Sequence, residues 1–191
     1  LMGYGVIEQN GNSFRVIDYG SISTEAGTPM PERLKFLYSS LMDIIADTEP
    51  EAAALEELFY NTNAKTVINV GQARGVAVLA CVNSGLTIDE YTPLQIKQAL
   101  VGYGRAEKKQ VQQMVKTILK LDAVPKPDDT ADALAVAICH ANSSSGSSRL
   151  AASIEKALAK EAVSHGRGYK TAAGRRKRAS AAVAEPFRII K

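Results

Sequence analysis

The stretch "PKPDDTADALAVAICHA", Pro125 to Ala141, places Asp128, Asp129 and Asp132 at the front of an alanine-rich apolar run. That run reads as a buried helix, so the chain has to build a core around it. One Asp at such a helix start is explained by capping, where it meets unpaired N–H groups and the positive dipole end. Three are not explained that way. Asp129 and Asp132 lie three apart, share a helix face and repel each other, so they need a partner from elsewhere in the chain.

The remaining segments supply the layers. "GYGVIEQ" (Gly3 to Gln9) alternates as a strand, "NGN" (Asn10 to Asn12) makes a hairpin turn, and "FRVIDYGSIST" (Phe14 to Thr24) returns as a second strand. A helix opening at Pro31 carries Leu34, Leu37, Leu41, Ile44 and Ile45 on one face. "EAAALEELF" after Pro50 predicts a buried strand ending near Glu56. "AKTVINVGQARGVAVLACVNSG" (Ala64 to Gly85) predicts a helix whose Gly71 and Gly75 pack closely on a neighbour. "TIDEYTP" (Thr87 to Pro93) is a further strand and "PLQIKQAL" a short helix. The loop "VGYGRAEK" (Val101 to Lys108) lacks the third glycine of a dinucleotide fingerprint. Val111, Met114, Val115, Ile118 and Leu119 mark an amphipathic helix. "NSSSGSS" (Asn142 to Ser148) is a flexible spacer before a last helix, Arg149 to about Ala162. Strand pair, helix, strand, helix, strand, helices is the order of an α/β fold with a mixed sheet covered by helices, where reactive groups gather at strand ends.

Composition bounds the class. The 191 residues are 46% hydrophobic and 23% charged, as in a soluble globular protein. No apolar run approaches the roughly 18 residues of a membrane span, and the opening residues lack a signal-peptide pattern, so a cytoplasmic location is expected. Cys81 and Cys139 have no metal-ligand spacing and read as reduced core residues. Residues 164–191 hold eight Lys/Arg against Glu185 alone, a balance of +7, which leaves 15 basic and 19 acidic residues in 1–163. A basic tail on an acidic body suits nucleic acid, because cationic side chains displace counterions from phosphates; the plain alternative is a disordered solubilising tail.

Glu56 is the partner that the Asp pair needs. A carboxylate at the end of an apolar strand is costly unless something pairs with it, and three carboxylates on a strand end and a helix start repel unless cations sit among them. Such all-oxygen sites suit hard cations such as Mg²⁺, and two ions about 4 Å apart clamp an in-line phosphoryl displacement.

"GYGVIE", "LEELFYNTNAKTVINVGQARGVAVLA", "EYTPLQIKQALVGYGRAEKKQVQQMV" and "DDTADALAVAICHA" closely resemble the RuvC-type Holliday-junction resolvases, from about Gly3 to Ser148. The resemblance implies a ribonuclease-H-like nuclease domain over 1–148, with a C-terminal helix over 149–163 and a basic tail over 164–191. It implies a Mg²⁺-dependent homodimer, with Mn²⁺ able to substitute, that nicks a four-way DNA junction symmetrically in recombination and repair. It assigns Glu56, Asp129 and Asp132 to the catalytic metal site and leaves Asp128 as a cap. It places Phe59 as an aromatic that stacks on bases, a contact worth about 1–3 kcal/mol, and Lys97 and Lys108 as phosphate contacts. Arg74 and Arg105 are weaker DNA-binding candidates, balanced against salt-bridge roles. His140 is expected to complement its helix dipole, and His165 lies in the tail. The RuvA–RuvB branch-migration complex is the implied partner, with no membrane role.

The chain departs from the family at its start. Family members begin with a central strand of the type "ILGIDPG", whose Asp is a fourth catalytic carboxylate; here "LMGYGVIE" comes first. Without that strand the sheet is expected to expose two strand edges and lack one metal ligand. The simplest reading is an incomplete N-terminus of an active enzyme; the rivals are a junction-binding protein that does not cut because that Asp is absent and, separately, a ribonuclease-H-fold relative acting on another nucleic acid.

Overall fold

The structure is a computed structural model that describes residues 1–57 and 67–144, and the backbone of 64–66 and 187–190. Nine elements are bounded in chain order as β1 (Met2–Asn10), β2 (Ser13–Ile22), α1 (Met30–Thr48), β3 (Ala52–Glu56), α2 (Ala64–Asn83), β4 (Thr87–Tyr91), α3 (Pro93–Val101), α4 (Lys108–Ile118) and β5 (Phe187–Ile190). A helix over 128–144, α5, precedes β5. The spacer beyond 144, the helix from Arg149 and most of the basic tail lie outside the described residues.

Local chemistry explains the boundaries. Gly11 turns the β1–β2 hairpin at φ +62°, a conformation that glycine adopts without strain. Thr92 and Gln95 form a reciprocal capping box at the start of α3, and Gly102 closes it in the left-handed region. At the start of α4 the Gln110 side chain accepts from the Glu107 amide at 2.8 Å, and the Gln110 amide donates to the Glu107 carbonyl at 3.0 Å.

The sheet order is β2-β1-β5-β3-β4. β1 runs antiparallel to β2 and to β5, whereas β3 runs parallel to β5 and to β4. The central position is therefore filled, by a strand that the sequence places in the basic tail. Sequence analysis expects two bare edges there; a backbone ladder on both sides of β5 covers them instead.

Helices lie on both faces. Ile7 and Ala54 join Leu134, Val115 and Leu100 in one apolar cluster under α3, α4 and α5. Val6 and Ala53 join Leu41, Ile45 and Ala80 in a second, under α1 and α2. Consecutive residues thus feed opposite layers, as a strand buried on both faces requires. Residues 131, 133–139 and 141 of α5 are all buried, which accounts for the unbroken apolar character of that helix.

Candidate active site

Glu56 is the last residue of β3, after four buried residues. The ladder continues one step past it, where the Glu57 amide donates to the Tyr91 carbonyl at 2.9 Å. Asp129 and Asp132 come from the first turns of α5, which is pressed onto β1. A Cβ on Gly3 would overlap the Asp129 carbonyl, and one on Gly5 would stand 2.6 Å from Leu134 Cδ2. The fully buried Thr130 hydroxyl donates to the Gly20 carbonyl at 3.1 Å, fastening the same helix start to β2.

Glu56, Asp129 and Asp132 consequently line one cleft of about 290 Å³, with Gly3 and Arg74 among its other walls. A second cavity, about 180 Å³, is again lined by Glu56 and Asp132, now with Lys97 and Lys108. Two carboxylates are shared between an acidic cleft and a basic one.

The cations are engaged with the acids. Lys108 Nζ stands 3.2 Å from Asp132 Oδ2 and 3.3 Å from Asp128 Oδ2. Lys126 Nζ lies 2.7 Å from Asp128 Oδ1. Hydrogen bonds from Lys126 and then Lys108 hold the exposed Asp128 carboxyl down at about 2. For Lys108, slight burial acts to lower its pKa, but Asp132 and then Asp128 outweigh it and raise the pKa. Asp128, expected as a cap, is an ion-pair residue here.

All three cleft carboxylates are hard oxygen donors, the set that Mg²⁺ or Mn²⁺ takes. Among the described residues, no group of three or more His, Cys, Asp or Glu stands close enough to hold a metal ion. The donor set fits a hard cation in kind, and the Lys108 ammonium takes up one side of Asp132 where such an ion would compete.

The other candidates separate. Arg74 pairs with Glu90 at 2.5 Å while lining the acidic cleft. Arg105 is exposed between α3 and α4 and lines neither cavity. Phe59 and His165 lie outside the described residues. His140 is buried, its Nδ1 2.9 Å from the Tyr91 hydroxyl, so it serves the core and not the cleft. Sequence reasoning missed Lys126, although "PKPDD" sets it two residues before Asp128. It also missed Gly3 and Gly5, whose only signal was their spacing of two, which puts both on one strand face.

Residues 1–140 match the family model described as crossover junction endodeoxyribonuclease RuvC. A crossover junction endodeoxyribonuclease RuvC of Caldanaerobacter subterraneus subsp. tengcongensis is 60% identical over 149 residues, 78% of this chain and 90% of the relative. One of Alkaliphilus oremlandii is 60% identical over 142 residues, 74% of this chain and 87% of the relative. A solved structure of T. thermophilus RuvC in complex with Holliday junction substrate superposes with a TM-score of 0.67 at 32% identity, over 73% of this chain and 85% of that one. A second Thermus thermophilus RuvC structure gives a TM-score of 0.69 at 33% identity, over 76% and 88%. With the ribonuclease-H-like fold of those structures and a match that spans the cleft, this chain belongs to the RuvC family of crossover junction endodeoxyribonucleases.

Proposed function

We propose that the chain nicks DNA at four-way junctions by hydrolysing phosphodiesters at the Glu56, Asp129 and Asp132 cleft. One observation carries this reading: Glu56 and Asp132 line both the acidic cleft and the cavity walled by Lys97 and Lys108. A phosphate backbone held by the two lysines would lie beside the carboxylates, with Lys108 exchanging an acidic partner for a phosphate. Glu56, Asp129 and Asp132 would hold the divalent ion, Mg²⁺ in this reading. Such an ion supplies activated water and charge stabilisation for phosphodiester hydrolysis. Glu56 is set by a buried strand and the Asp pair by a helix clamped on β1, so all three sit on rigid elements, as positioned catalysis requires.

Symmetrical nicking of a two-fold junction calls for a homodimer. Gly71 and Gly75 of α2, expected to pack on a neighbour, meet nothing among the described residues within 4 Å of where a Cβ would stand. Ile68, Leu79 and Val82 are exposed on the same helix. Glycine inside a helix costs about 1 kcal/mol relative to alanine, and close approach of a second copy offsets that cost. The RuvA–RuvB complex, a cytoplasmic location and a role in recombination and repair rest on the family resemblance. Among the described residues no helix is long and apolar enough to cross a membrane.

A non-cleaving junction binder is the second reading, favoured by the Lys108–Asp132 pair and by the lack of a ligating trio among the described residues. Incubating the chain with synthetic four-way junctions in Mg²⁺ separates the two. Paired nicks that vanish in Asp129→Asn, with junction binding retained, support the nuclease. Binding without nicks by the unaltered chain overturns it.

A further inference from the structure

The body of the chain is acidic, yet one corner of it is basic. Residues 93–110 carry Lys97, Arg105, Lys108 and Lys109 against Glu107 alone, within a stretch, 1–163, that has 15 basic and 19 acidic residues. That corner is α3, the loop after it and the start of α4. Lys97 and Lys108 wall the cavity shared with Glu56 and Asp132. Arg105 and Lys109 are exposed and line neither that cavity nor the acidic cleft.

Two large apolar side chains stand in water at the same corner: Leu94 is 54% exposed and Tyr103 47%. Leu94 lies one turn before Lys97 on α3, so the two share a helix face. A Cβ on Gly104 would overlap Leu94 Cδ1, so the loop backbone next to Tyr103 sits directly on that leucine. The Tyr103 hydroxyl donates to Gln110 Oε1 at 3.1 Å. The same oxygen accepts from the Glu107 amide at 2.8 Å, which ties the phenol to the first turn of α4. The polar tip of the tyrosine is thus engaged while its ring stays exposed. A ring held in this way loses little freedom when a flat partner packs on it.

We infer that Tyr103, backed by Leu94, is a stacking platform for a nucleobase at the branch point of a DNA junction, with Arg105 and Lys109 on the phosphates beside it. Charge selects the occupant. An exposed ring suits a protein partner or a base, but four cations against one acid, continuous with the lysine-walled cavity, favour a polyanion. Stacking on an aromatic ring accepts any base, because every base has a π-face. Inside a duplex both faces of a base pair are covered by its neighbours, so a free face is offered only at an end, a gap or a branch point. Tyr103 therefore reads junction shape, whereas Arg105 and Lys109 hold the backbone of any duplex.

The inference rests on the junction-binding part of the proposed function and not on nicking, so the test reads binding. The full chain is titrated, without added Mg²⁺, onto a synthetic four-way junction and onto linear duplex of the same sequence. Tyr103→Ala is expected to raise the junction Kd about 5- to 150-fold, the worth of one base–aromatic stack, with a less than threefold change for duplex. Arg105→Gln is expected to weaken both and to lower the slope of log Kd against log salt by about 0.9, the share of one phosphate. Tyr103→Trp is expected to keep the junction preference; the chain has no other Trp, so quenching of its emission by junction and not by duplex reports the stack directly. A junction preference that survives in Tyr103→Ala, or equal losses on the two DNAs, overturns the platform. If Tyr103→Ala fails to fold, Trp emission that junction leaves unquenched overturns it instead. An unaltered chain that binds both DNAs alike overturns the junction reading itself, and the platform with it. Selective binding lost in Tyr103→Ala, with no nicking by the unaltered chain in Mg²⁺, overturns the nuclease reading and leaves the platform in place.

Discussion

Gly3→Ala tests how the cleft is assembled, because it adds one methyl group where α5 meets β1. The new Cβ would stand 2.8 Å from the Thr130 amide nitrogen and would overlap the Asp129 carbonyl. Ordinary contact begins at 3.4 Å, so Thr130 must retreat by at least about 0.6 Å, and Asp129 further. Neither neighbour is the end of a flexible side chain; both are helix backbone, held at that point by the Thr130 bond to Gly20. The helix start has to move as a body or the methyl stays overpacked, at about 1–3 kcal/mol. Against a tenfold change per 1.4 kcal/mol, the folding equilibrium shifts by about 5- to 150-fold. Displacing Asp129 and Asp132 by a sizeable part of an ångström costs catalysis separately, and a shift near 1 Å is worth about 100-fold. Urea denaturation reads the first effect and the single-turnover rate on a synthetic junction reads the second. Wild-type stability and nicking in Gly3→Ala would refute the clamped geometry.

Further consequences follow from the same contacts. Lys108→Ala removes an ion-pair partner of Asp132 and Asp128, so junction binding should weaken and the Asp128 carboxyl should titrate above its value of about 2, read by carbon NMR. Because that carboxyl is depressed in the folded state, its contribution to stability is present above the unfolded pKa near 3.8 and lost as pH falls toward 2; acid unfolding of Lys108→Ala should show a smaller loss. Burial lowers the pKa of His140, with a smaller opposing effect from Asp89, so the unfolded chain takes up a proton that the folded core disfavours. Stability is therefore full above about pH 6.5 and falls below it; urea midpoints at pH 7.5 and 5.5 should differ, and by less in His140→Phe. Gly71→Ala should stabilise the monomer by up to about 1 kcal/mol through helix propensity while weakening self-association, measured by light scattering and thermal unfolding.

The strands and helices of the body were legible because each carries its own period. The alternation in "GYGVIEQ" and the stripe of Val111, Met114, Val115, Ile118 and Leu119 report a face to be buried, and the structure buries Val111 and Val115 completely or nearly so. The pairing of Glu56 with the Asp couple was legible for an energetic reason: carboxylates next to buried segments need company. The ion pairs were not, because the reach of Lys108 to Asp132 depends on how α4 lies beside α5. "FRII" is apolar enough for a strand, but its surroundings in a basic tail hide the signal; four residues carry too little periodicity to outweigh composition.

Sequence alone determined which segments could be buried and which acids were candidates to share one cleft. Tertiary structure alone decided that a distant C-terminal segment completes the sheet between β1 and β3, and that Lys108 sits on Asp132. The physical reason is range. Side-chain pattern is a local property of a few successive residues, whereas a backbone ladder accepts any segment that can be extended, and a charge pair depends on how separate helices pack.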